Sequence, residues 1–165
     1  MKTLRFAAIL AFSGIISLTS CSKKNDDSVT PTGTGTQQQS SVAFATKVDG
    51  KEFKPDFAYA KISFPGNDGY YGIYGLDSKT SDVAVIALPN SAQVGTHELS
   101  SISFGSFTKA STSDAYSTVV KPGTGTVTIT KKTATEIAGT FSFTAYNEKG
   151  IKITLTDGTF NVPIK

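Results

Sequence analysis

The chain has 165 residues, with 16 basic and 13 acidic side chains, one histidine, one cysteine and no tryptophan. A single cysteine excludes an internal disulfide framework, and one histidine with one cysteine is too few for a zinc site built from nitrogen and sulfur ligands. Lys2 and Arg5 lie in the first five residues, so a chain cut after them carries 14 basic against 13 acidic groups, which argues against nucleic acid as a partner.

Read in chain order, Lys2 and Arg5 form a short basic region. Phe6 to Leu18 ("FAAILAFSGIISL") is apolar apart from Ser13, Gly14 and Ser17. A helix of that length reaches only about 20 Å, short of the roughly 30 Å hydrocarbon core, so the run reads as a secretory signal and not as a spanning anchor. It ends in Leu18, Thr19, Ser20 and Cys21, an aliphatic residue and two small residues before cysteine. This "LTSC" resembles the bacterial lipobox. The resemblance implies cleavage between Ser20 and Cys21 and attachment of a diacylglycerol to the Cys21 thiol, the residue type that chemistry requires. Residues 1–20 are then the signal peptide, and the expected location is the outer membrane, facing either the periplasm or the cell surface.

Residues 21–41 begin at this cysteine and continue as a polar segment rich in Ser, Thr, Gly and Gln. Too little apolar surface is available there to offset the entropy of ordering, so a disordered tether is expected. At its head, "CSKKNDD" resembles the surface-export signal of Bacteroidota lipoproteins, with Lys23, Lys24, Asp26 and Asp27 as its candidate residues; Asn25 separates the lysines from the acids. The other reading is a solvated charge cluster. Asp27, Ser28 and Val29 resemble the short O-glycosylation sequon of that phylum, which implies Ser28 as acceptor.

From residue 42 to 165 the apolar residues recur with a period of two, which predicts one all-β domain of nine or ten antiparallel strands and no helix. "VAFATKV" and an Asp49–Gly50 turn open it. "FAYAKISF" (57–64), "YYGIYGLD" (70–77) and "VAVIAL" (83–88) follow, the last apolar on both faces and hence central. "SISFGSF" and "AYSTVV" come next. "GTVTITK" turns Val127 and Ile129 inward, "GTFSFTAY" turns Phe141, Phe143 and Ala145 inward, "IKITLT" turns Ile151, Ile153 and Leu155 inward, and "TFNVPI" does so with Phe160, Val162 and Ile164. "NEKG" (147–150) and the Asp157–Gly158 pair are expected as turns. An antiparallel β-sandwich is the expected architecture, with a closed barrel as the alternative.

"GTVTITK", "AGTFSFTAYN", "TDGTFNVPI" and the opening "KVDGKEFKPD" resemble a family of uncharacterised Bacteroidota lipoproteins, a domain of unknown function. The resemblance covers most of residues 42–165, and its motifs are structural: alternating Thr, Phe and Gly describe a sheet. It implies no catalytic residue.

The remaining inventory offers little chemistry. His97 sits in "GTHEL" with Glu98 expected on the opposite strand face, so no base is placed beside a partner. Asp49, Asp68 and Asp157 stand beside Gly in turn-like stretches, where Asp assists the backbone. No enzyme activity, cofactor or metal is therefore expected. The candidate binding residues are Tyr59, Tyr70 and Tyr74, with Tyr70 and Tyr74 on one face, Gly72 as a notch between them and Tyr59 on the partner strand; Tyr71 points the other way. Such a platform suits a sugar ring or an envelope protein, while ordinary cross-strand packing is the plainer reading. Two functional classes follow: a non-catalytic binding or structural module at the envelope, or a carrier of a small apolar ligand in a barrel.

Overall fold

A computed structural model describes residues 43–64 and 67–165. The assignments on Ser20, Cys21, Lys23, Lys24, Asp26, Asp27 and Ser28, with the signal and tether, lie outside the described residues.

Eleven strands form: β1 (Ala43–Val48), β2 (Lys51–Phe53), β3 (Phe57–Phe64), β4 (Asn67–Leu76), β5 (Val83–Pro89), β6 (Gly95–Leu99), β7 (Phe104–Lys109), β8 (Asp114–Ser117), β9 (Thr124–Lys132), β10 (Glu136–Tyr146) and β11 (Lys152–Pro163). There is no helix among the described residues. All strands belong to one sheet, ordered β2-β1-β11-β10-β8-β7-β5-β4-β3, with β9 and β6 branching from β10. The pairs between strands are antiparallel.

Strand β10 is the branch point. Along Ile137–Thr144 it pairs with β9, and two residues further Tyr146 pairs with Ser117 of β8. The sheet folds there into a back layer (β2, β1, β11, β10, β9, β6) and a front layer (β8, β7, β5, β4, β3). The front layer's far edge touches the back layer once, at a parallel bridge between Ala60 and Ile164. One bridge does not close a ladder, and the sheet is not a barrel. The architecture is sandwich-like, and the barrel alternative is set aside.

The alternation of the sequence dictates this core. Phe44, Phe141, Phe143 and Phe160 point inward from the back layer, facing Tyr71, Ile73, Ile86, Leu88 and Phe107 from the front. Rings from one layer rest in hollows that glycines leave in the other. A Cβ at Gly75 would lie 2.6 Å from the Phe44 ring, and one at Gly105 would lie 2.7 Å from Phe143. Pairing large residues with small ones brings two sheets to interior packing density. Phe141 is the hub of the aromatic group, 5.3 Å from Phe44, 6.0 Å from Phe143 and 6.4 Å from Phe160 between ring centroids.

Several local expectations change: Asp68, expected in a turn, lies in β4, and Thr118 to Val120, expected in a strand, lie outside β8. The Asp157–Gly158 pair is not a turn. Residues 152–163 form one strand with a bulge, where Asp157 takes a φ of 53° and the register with both neighbours slips. The inward positions explain it: Ile153 and Leu155 are odd-numbered, Phe160 and Val162 even, and an extra residue restores the buried face. Ile151 is half exposed, because it ends the hairpin loop before β11 begins. Ser101 to Ser103 lie outside β7. The Asp49–Gly50 turn forms as expected, with φ of 48° and 80°, the paired positive values of a tight hairpin turn.

Candidate functional site

The tyrosines are placed by register. Tyr59 of β3 lies opposite Tyr74 of β4, and Tyr70 lies on the same outward face, opposite Pro89 of β5. Tyr71 has the opposite parity and is buried in the core. The faces of all four residues are thus as the alternation of the sequence predicts.

The platform is not open, however. Tyr59 and Tyr74 stack on each other with centroids 5.1 Å apart and planes 21° apart. The Lys165 ammonium lies 5.2 Å from the Tyr59 ring centroid, a cation–π contact. The Tyr74 ring leans over Gly72: a Cβ there would lie 2.7 Å from its Cε2 and hydroxyl. The expected notch at Gly72 is filled by the neighbouring tyrosine. Burial, with a smaller contribution from Tyr59, raises the Tyr74 phenol above its ordinary pKa. Around the stack, Leu76, Val83, Val85 and Phe104 are half-buried and Phe57 is 56% exposed, so the outward face of the front layer is largely apolar.

A second cluster closes one end of the sandwich. The Lys132 ammonium donates to the carbonyl of Asn90 (3.0 Å) and that of Ala92 (2.6 Å), and lies 4.9 Å from the Tyr71 centroid. The Tyr71 hydroxyl is buried without a hydrogen-bond partner, and burial pushes its pKa up to about 12. Sequence reading does not find this latch, because Tyr71 of β4 and Lys132 at the end of β9 are far apart in the chain and no motif joins them.

His97 lies opposite Val127 and Glu98 opposite Thr126. The histidine Nε2 is 2.7 Å from the carbonyl oxygen of Gln93. The acids serve local structure. Asp49 accepts from the Thr154 N–H at 2.9 Å, Asp157 pairs with Lys47 at 2.9 Å, and Asp56 accepts from the hydroxyl and N–H of Ser78. Those two bonds, the hydroxyl's first, hold Asp56 below the usual carboxylate range. The Thr112 hydroxyl, with help from Lys149, does the same for Asp114. Among the described residues no three His, Cys, Asp or Glu side chains converge as a metal site.

A groove of about 600 Å³ runs between β7–β8 and the β10–β11 turn, past Asp114, Tyr116, Asn147 and Lys149. Asn147 is buried there because its Oδ1 accepts from the N–H groups of Lys149 (3.0 Å) and Ile151 (2.8 Å), shaping the turn. Its partners are structural.

No curated protein and no solved structure matches the chain. A family model, "Domain of unknown function (DUF6252)", matches residues 40–163, which takes in every strand described above. The chain belongs to this domain family.

Proposed function

We propose that the protein is a lipoprotein of the bacterial outer membrane, anchored through Cys21, whose β domain is a non-catalytic binding or structural module. The observation that carries the reading is the order of the first 27 residues: two basic groups, a 13-residue apolar run, "LTSC", then a charged polar tether. The domain supports it in a second way. The outward face of its front layer carries Tyr59, Tyr70 and Tyr74 beside the half-buried Leu76, Val83, Val85 and Phe104. That face is the contact surface we assign to an envelope protein or glycan partner.

The competing class, a carrier of an apolar ligand, draws no support from the interior, which Phe44, Phe141, Phe143 and Phe160 fill.

The test is co-purification from detergent-solubilised outer membranes, comparing the wild type with Tyr59→Ser/Tyr74→Ser. The expected result is a defined envelope partner retained by the wild type and released by the double variant. An unchanged set of partners on substitution would remove the aromatic face from the account.

A further inference from the structure

Three strands end the sheet: β2, β6 and β3. Two are poor templates for another chain. β2 has three residues, with Lys51 and Glu52 in it and Lys54 beside it, and β6 has five, with Glu98 among them. Short, charged edges are how sheets avoid joining one another. β3 differs. It has eight residues with Lys61 as the one charge, and two of the molecule's exposed large hydrophobic residues sit on it, Phe57 (56% exposed) and Ile62 (53%).

The chain covers this edge at one point. The N–H of Lys165 donates to the carbonyl of Ala60 at 2.8 Å, and the N–H of Ile164 donates to the carbonyl of Thr135 at 2.8 Å. Because the Ala60 carbonyl faces away from β4, strand alternation turns the backbone groups of Ala58 and Ile62 outward as well. The Lys165 ammonium meanwhile sits over Tyr59.

We propose that the β3 edge is a strand-addition surface for the β3 edge of a second copy, and that the Ile164–Lys165 segment guards it. The register decides the occupant. Antiparallel self-pairing centred on Ala60 sets Ala58 opposite the second copy's Ile62, and Tyr59 opposite its Lys61. Outward backbone groups then meet outward backbone groups at Ala58, Ala60 and Ile62. The two lysines are staggered instead of opposed, and each places its ammonium beside a Tyr59 ring, the position that Lys165 holds within one copy. The same centre that satisfies the hydrogen bonds also satisfies the charges. The product is a β4-β3-β3-β4 sheet running through two copies.

The test uses full-length chain in detergent, with a Tyr59→Cys variant and a Lys61→Cys variant, oxidised mildly and separated without reductant. The chain with neither substitution sets the background. The mixture is expected to form a disulfide dimer, and neither variant alone is expected to exceed background. Removing Ile164 and Lys165 from both should speed the cross-link by at least roughly tenfold, because two backbone hydrogen bonds hold the guarding segment and the Lys165 cation–π contact adds to them in the Lys61→Cys copy, which keeps Tyr59. Ala58→Pro, which removes an outward N–H, should abolish it. Equal cross-linking of each variant with itself, or none in the mixture, would overturn the proposal. So would an unchanged rate on truncation when the shortened chain keeps its cooperative melt. If truncation prevents folding, the full-length mixture with and without Ala58→Pro decides.

Discussion

Single residues carry the packing of this domain, and they were the most legible part of it. Phe141, Phe143, Val127, Ile129, Phe160 and Val162 are buried where alternation places them. Phe143 is 3% exposed, with Gly105 beneath its ring. Phe143→Ala should therefore destabilise by about 3–5 kcal/mol in urea unfolding, from forfeited transfer energy and an unfilled cavity. Gly105→Ala should cost about 1–3 kcal/mol through the opposite fault, a methyl forced against that ring. Tyr71 gives a pH prediction. Its phenol titrates near 10 in an unfolded chain and is pushed up to about 12 by burial in the fold. Between those values the unfolded chain releases the proton and the native chain keeps it. Stability should thus fall as pH rises from about 10 to about 12, and Tyr71's contribution should be flat below that window. Tyr71→Phe should remove its share of the alkaline slope. It should cost little near neutrality, since the hydroxyl it deletes has no partner. Denaturant melts at several pH values read both effects.

At the scale of elements, what the sequence hid was phase. Alternation identifies strands wherever inward residues keep one parity, and it located β5, β9 and β10 well. It failed at Asp157–Gly158, because a change of parity looks the same whether the chain turns back or bulges. The distinction rests on β1 and β10, which pair with β11 on both sides of the bulge. A sequence window cannot contain those partners. Deleting Asp157 tests the bulge. The deletion would make the alternation continuous, so Ile153, Leu155, Phe160 and Val162 would share one parity and stay on the buried face, each opposite the β10 residue it faces now. The expected outcome is that the cooperative thermal transition in circular dichroism survives. Its loss would show that the bulge does more than restore the buried face. The tyrosine cluster was half legible for a related reason. Faces follow from parity, but the lean of Tyr74 over Gly72 and the arrival of Lys165 depend on neighbours that parity does not encode.

For the whole molecule, the sandwich frames the functional reading by what it arranges. The inner space between the layers is filled by aromatic rings, acids stabilise turns, and an apolar face of the front layer remains outward. The melting temperature should accordingly be unchanged by calcium or by chelators, as differential scanning fluorimetry would read; a rise of several degrees with calcium would point to a metal site that the described residues do not form. Replacing Asp26 and Asp27 by Ala should leave lipid attachment intact, because the proposed cleavage motif precedes Cys21. If the charged head of the tether directs export, the same variant should lose protease accessibility on intact cells. The most direct test of the central claim is metabolic labelling with a radioactive fatty acid, comparing the wild type with Cys21→Ala in membrane fractions. The account predicts a labelled, shortened, membrane-bound wild type and an unlabelled, uncleaved variant. An unlabelled wild type, or a Cys21→Ala chain that is labelled and cut like the wild type, would contradict it.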